Sequence, residues 1–218
     1  MMNDTHTVDV PITALTASQR KRRQVMEAAA RLFMAQGYGA TSMDAIAREA
    51  GVSKATLYAY FQGKDALFAA IVGEACERHA EGRPCCLTDH EGDLAGALAA
   101  LGEGYLSFLC REEVMAIQRV VLAEGSRFPE LGRAFYESGP RRMIQWVAGW
   151  FAALQRQGRL RPGDPAVAAE QFLALQRGSA LMRRMLGVPP APDAAEIRAV
   201  VAAAVETFLR AWGTGRER

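Results

Sequence analysis

TSMDAIAREAGVSKATLYAYF, residues 41–61, holds two short apolar-periodic segments joined by a glycine-centred break. Thr41 and Asp44 have the spacing of a helix-opening capping box, in which side-chain oxygens satisfy backbone N–H groups that the first turn leaves unpaired. Met43, Ile46, Ala47 and Ala50 follow at i, i+3, i+4 and i+7, one apolar helical face, with Asp44, Arg48 and Glu49 turned from it. Gly51 stops this helix, because glycine adopts a left-handed backbone at little cost. Ser53 then caps a second helix in which Leu57 and Phe61, with Val52 just ahead, are placed to pack on the first. Lys54, Thr56, Tyr58 and Tyr60 are left for another surface. Two short helices across a tight glycine turn, the second lined outwardly by amine and hydroxyl groups, predict a helix-turn-helix suited to DNA phosphates and base edges.

The flanks strengthen this reading. From Arg20 to Lys64 there are eight basic residues against three acidic ones, a local balance of +5, whereas the whole chain carries only +2 and the rest therefore −3. Nucleic-acid affinity depends on where charge lies, and the run RKRR at 20–23 stands beside the helix-turn-helix, where it can reach phosphate backbone. Val25, Ala29, Leu32 and Phe33 recur at helical spacing up to the GYG of 37–39 and predict a supporting helix. A fourth helix is expected from about Lys64 to Glu81, burying Leu67, Phe68, Ile71 and Val72.

A chain of 218 residues, half of them hydrophobic, can bury a sizeable core. Its first twenty residues lack the apolar run of a secretory signal and no stretch approaches a membrane span, so a cytoplasmic location without membrane partners is expected. Cys76, Cys85, Cys86 and Cys110 are too few and too unevenly spaced for a disulfide framework.

After residue 93 the prolines and most glycine pairs fall between helical segments, and no alternating pattern of useful length occurs, which predicts an all-α fold. Leu94, Leu98, Leu101, Tyr105 and Phe108 step along one helix. Others are expected at about 112–124, after Pro129, from Pro140 through Trp146, Trp150 and Leu154, and at about 165–186 and 193–212. The last two carry broad apolar faces, and Phe172, Val201, Val205 and Phe208 are expected to bury themselves against a second copy of the chain.

This order of parts, a basic lead, a supporting helix, GYGATSMDAIAREAGVSKATLYAYFQGKDALF at 37–68 and a larger apolar helical region, closely resembles the TetR/AcrR family of bacterial transcriptional regulators. The resemblance implies phosphate contacts from Thr41 or Ser42, Tyr60 and Lys64. It places Ser53, Lys54, Ala55, Thr56 and Tyr58 in the same DNA-binding segment, those from Lys54 to Tyr58 near base edges or backbone. The stretches at 120–143 and 158–175 look like the effector domain of a subgroup tied to multidrug-efflux control. The implied organisation is a flexible arm at 1–19, a three-helix DNA-binding head at 20–64, a linking helix at 65–84, a ligand-binding and dimerisation domain at 85–212 and a tail at 213–218.

Neither a Gly-rich phosphate loop nor the H-E-x-x-H, G-x-S-x-G or calcium-loop patterns occur, so no enzyme, metal or cofactor is expected. Tyr105, Phe108, Trp146, Trp150 and Phe172, beside Glu124 and Gln176, form a set able to surround a small apolar or amphipathic effector. The expected function is a dimeric repressor that leaves a palindromic double-stranded operator when that effector binds. Two alternatives stand: thiol or metal sensing through the adjacent Cys85 and Cys86, with Cys76, His79 and His90 nearby, or a ligand-free architectural DNA binder.

Overall fold

The computed structural model describes residues 16–80 and 93–215, and its regular elements are helices; Leu160 and Gly213 add a single isolated antiparallel bridge. The chain divides after Phe68 into two compact units. No helix among the described residues is long and apolar enough to cross a membrane.

The first unit contains α1 (Ala17–Gln36), α2 (Met43–Glu49), α3 (Lys54–Tyr60) and the start of α4 (Lys64–Ala80). Helix α1 opens earlier than the charge run, on a capping box between Thr16 and Gln19. Its Val25, Met26, Ala28, Ala29 and Phe33 face inward, and Phe33, Tyr38 and Phe68 meet in edge-on and tilted contacts 5.4–6.1 Å apart. Such contacts add to simple burial because ring edges and faces carry opposite partial charge.

Helix α2 begins one residue later than the sequence predicts. Ser42 is the cap, accepting from the Ala45 N–H at 3.1 Å, whereas Thr41 is buried and its hydroxyl donates to the Gly37 carbonyl at 2.7 Å. Beyond α2 the Gly51 N–H reaches Arg48 and the Val52 N–H reaches Ala47, a Schellman closure in which Gly51 takes φ +61°. The Gln24 amide donates to the Ala50 carbonyl at 2.7 Å and ties this turn to α1. Fully buried Leu57 and nearly buried Phe61 then fix the inner side of α3.

The second unit holds the rest of α4, then α5 (Leu94–Leu109), α6 (Glu112–Glu124), α7 (Pro129–Ser138), α8 (Pro140–Arg156), α9 (Pro165–Leu175), α10 (Gly178–Met185) and α11 (Ala194–Trp212). The helix expected over 165–186 is two helices: its path breaks at Gln176 and Arg177, and Gly178 has φ +39°, outside the right-handed helical range. Helix α8 packs on α9, and α11 packs on both α5 and α9. Gly102 allows this approach, since a Cβ there would stand 2.8 Å from both Val201 Cγ1 and Gln176 Oε1.

The core corrects the expected dimer surface. Phe151, Phe172 and Phe208 form a ring cluster with centroids 5.1–5.7 Å apart, and Val201 and Val205 pack into the same core with at most 6% exposure. The broad apolar stripe of α11 is broad because it serves its own protomer. Val201→Asp is therefore expected to unfold the second unit rather than to separate dimers: an unpaired carboxylate in this core costs about 3 kcal/mol or more. Urea denaturation should show a lower midpoint at every protein concentration.

Candidate DNA-reading surface and effector cavity

With Leu57 turned inward, Ala55 and Ala59 lie on the opposite side of α3 and Lys54 and Tyr58 on its flanks, and all four are exposed. Ser53 caps the helix by accepting from the Thr56 N–H, and its hydroxyl also meets that of Thr56 at 2.8 Å. Tyr60 is half-buried, its hydroxyl 3.1 Å from Ser18 Oγ, which brings the basic start of α1 alongside the end of α3. Arg20, Lys21, Arg22 and Arg23 are exposed there.

The charge of this unit has a definite arrangement. Each of its three carboxylates between 20 and 64 holds one cation: Glu27 pairs with Arg23 at 3.0 Å, Glu49 with Arg31 at 3.1 Å and Asp44 with Lys54 at 2.8 Å. With eight basic residues against these three, residues 20–64 keep a net charge of +5. Hydrogen bonding to Asp44, aided by its charge, pushes the Lys54 amine above its ordinary value, so Lys54 stays cationic and a phosphate must share it with Asp44.

Two of the expected phosphate ligands also have structural duties within the head. Thr41 is 1% exposed, with its hydroxyl committed to the 37–41 turn. Lys64 donates to the Tyr38 carbonyl at 2.8 Å and lies 4.5 Å from the centre of that ring, binding the start of α4 to the GYG turn. Sequence spacing could not separate these roles, because a lysine at a helix start serves phosphate and carbonyl equally well.

Inside the second unit is a cavity of about 190 Å³, open on one side. Tyr105 and Phe108 line it as the sequence suggests, whereas Trp146, Trp150, Phe172, Glu124 and Gln176 are not part of its lining. Trp146 is 42% exposed on α8, Trp150 packs on the core, and Phe172 lies within the ring cluster. Gln176 is buried, its amide donating to the Phe172 carbonyl at 3.3 Å. Glu124 is the last residue of α6. The wall comes instead from Val72 and Cys76 of α4, Ile117 of α6, Met143 of α8, and Leu181 and Met185 of α10. These aliphatic and sulfur side chains gave no signal in the sequence, because at helical spacing they are indistinguishable from core.

Cys85, Cys86 and His90 lie outside the described residues, as do the side chain of His79 and residues 1–15 of the arm expected at 1–19, whose last three residues already belong to α1. Burial pushes the Cys110 thiol up, against the opposing pull of Arg184, so it is not an activated thiolate.

A compact three-helix head that presents the outer side of α3, followed by a helical unit with an internal cavity, defines a helix-turn-helix regulator. Residues 25–71 match the family of bacterial regulatory proteins described as tetR, and residues 96–214 match the C-terminal domain described as AefR-like transcriptional repressor. The chain belongs to the TetR family of transcriptional regulators and is not an enzyme. A crystal structure assigned to that family from Mesorhizobium loti is 32% identical, with 92% of this chain and 100% of that one covered and a TM-score of 0.77. The flavonoid-responsive regulator FrrA is 39% identical over 90% of this chain and 98% of its own, with a TM-score of 0.76. YvkB of Bacillus subtilis, an HTH-type transcriptional regulator, is 28% identical over 165 residues, 76% of this chain and 84% of its length.

Two substitutions separate surface from scaffold. Tyr58→Ala is expected to weaken specific DNA binding about tenfold, the scale of one lost base or backbone contact, with the melting temperature unchanged. Lys64→Met should lower the stability of the head by about 1–2 kcal/mol through the lost carbonyl bond and ring contact. Fluorescence anisotropy and thermal melts on the same samples check both.

Proposed function

We propose that the chain is a repressor that binds a near-palindromic operator as a homodimer and leaves it when an aromatic, amphipathic compound fills the cavity of the second unit. The observation that carries this reading is the composition of α4. Its first turns supply Leu67 and Phe68 to the core of the head, and its later turns supply Val72 and Cys76 to the cavity wall. A compound touching Val72 and Cys76 thus acts on the helix that the head also uses. Release requires that the compound bind the arrangement incompatible with the operator more tightly, and by linkage operator DNA weakens the compound to the same degree.

The size of the cavity supports a ligand of one or two rings, since an engineered apolar cavity of about 150 Å³ takes benzene. The similarity to FrrA, a flavonoid-responsive regulator, makes hydroxylated aromatics the first class to test. In the head, the exposed Lys54 and Tyr58 and the net charge of +5 over residues 20–64 support steep salt dependence of DNA binding. Two heads on one dimer read half-sites about 34 Å apart, one helical turn, or a multiple of it.

TetR-family regulators usually act as dimers. With Val201 and Val205 inside the protomer, the surface offered to a second copy is the outer side of α9 and α11, where Gln171, Ala174, Leu175, Thr207, Ala211 and Trp212, with an edge of the otherwise buried Phe208, border a shallow groove. Leu175→Glu is expected to leave the fold intact and to raise the dimer dissociation constant at least about tenfold, by placing a charge at the centre of an apolar contact. Sedimentation equilibrium reads this outcome, and a monomeric wild type at micromolar concentration contradicts the dimer.

The deciding experiment selects DNA from a random pool with the purified protein, then titrates hydroxylated aromatics into the selected complex. Release by at least one of them, with binding of that compound weakened by operator DNA, is the expected result. DNA binding indifferent to every compound would instead favour the ligand-free architectural binder.

A further inference from the structure

We propose that the cavity is built for an aromatic compound carrying an ionised oxygen, a carboxylate or an acidic phenol, seated on Arg177 and Tyr105; this builds on the reading of the cavity as the effector site. Arg177 is the one charged side chain among the described lining residues, and no Asp or Glu is among them. The rest of the wall is almost wholly apolar, with the Gln118 amide and the Cys76 thiol as its other polar side-chain groups.

The partners of Arg177 set it apart from the arginines that follow it on α10. Arg183 pairs with Glu196 and Arg184 with Glu112, and these contacts strap α10 to α11 and to α6. Arg177 pairs with no carboxylate among the described residues; its guanidinium donates instead to the Tyr105 hydroxyl at 3.0 Å. That bond orients the guanidinium without neutralising it. Tyr105 is 5% exposed, and because its oxygen accepts from Arg177 its own O–H remains to donate, with no acceptor for it among the described residues. Two donors therefore converge at one end of an apolar cavity, one of them cationic.

An anionic oxygen satisfies both at once: it accepts a charge-assisted bond from the guanidinium and a second from the phenol. A neutral carbonyl or ether makes the same contacts with less energy, since it gains nothing from the unpaired positive charge. Arg177 as a residue is exposed, which puts the guanidinium at the rim. The ionised group consequently stays near solvent, where its desolvation is least costly, while the ring system enters the apolar interior.

The test is isothermal titration of the full-length protein with 2-naphthoate and with its neutral counterpart 2-naphthamide, at neutral pH and moderate salt. Wild type is expected to bind the carboxylate about tenfold more tightly than the amide. Arg177→Met, which keeps the aliphatic stem, should abolish that preference while holding the amide within about twofold. Tyr105→Phe keeps the ring in the core and should reduce the preference partway, which makes the test independent of how well the first variant folds. Equal affinity of the two compounds for wild type, or a preference for naphthoate that survives in Arg177→Met, overturns the anion seat and leaves the cavity reading standing. Failure of both compounds to bind wild type at millimolar concentration overturns the cavity reading and the anion seat with it.

Discussion

The turn closed by Gly51 is the constraint on which the reading surface depends. At φ +61° it reverses the chain within three residues, and the Gln24 bond to the Ala50 carbonyl holds that reversal against α1. Once the turn is set, burial of Leu57 determines the rotation of α3 about its own axis. Rotation in turn decides which groups can meet a base edge: a shift of one position would replace Tyr58 on the outer side by Leu57. The tyrosine at 58 owes its exposure to a leucine it stands beside.

In the second unit one patch of apolar sequence serves two purposes that the structure keeps apart. Phe151, Phe172 and Phe208 fill the core, while Tyr105, Phe108 and Met143 border open space. The separation follows from helix rotation again. On α8, Val147, Phe151 and Leu154 point into the core, whereas Met143 reaches the cavity and Trp146 the surface. Large aromatics mark where volume is consumed, so they are poor guides to where it is left unfilled.

Much of the architecture was legible in the sequence, because helix periodicity, caps and glycine stops are local signals. Leu94, Leu98, Leu101, Tyr105 and Phe108 are all buried as their spacing suggests, and the helix at 112–124 has the predicted limits. The head was the most legible, since its turn chemistry and charge distribution act within a few residues. What the sequence concealed depends on partners distant along the chain. Nothing near Thr41 discloses that its hydroxyl turns to Gly37 and leaves the cap to Ser42, nor does the neighbourhood of Lys64 disclose the Tyr38 carbonyl. The stripe of α11 reads identically whether it meets its own α5 or a second protomer, and only the approach at Gly102 decides between them. That Arg177 meets no acidic partner among the described residues is likewise a property of space, with no signal along the chain.

The disjunction between the phenylalanine cluster and the cavity wall has a consequence for how such a chain changes over generations. Val114 and Ile117 face a void on one side and stand outside the main core cluster, so swapping them alters what the void accepts while the phenylalanine cluster is untouched. Substitution there meets little resistance from folding stability, and the shape of the cavity is free to drift. The head has less slack: Val25, Ala29, Phe33, Ile46, Leu57 and Phe68 are all buried in its core. On this plan the lining of the cavity can be altered at less cost to the fold than the packing of the head.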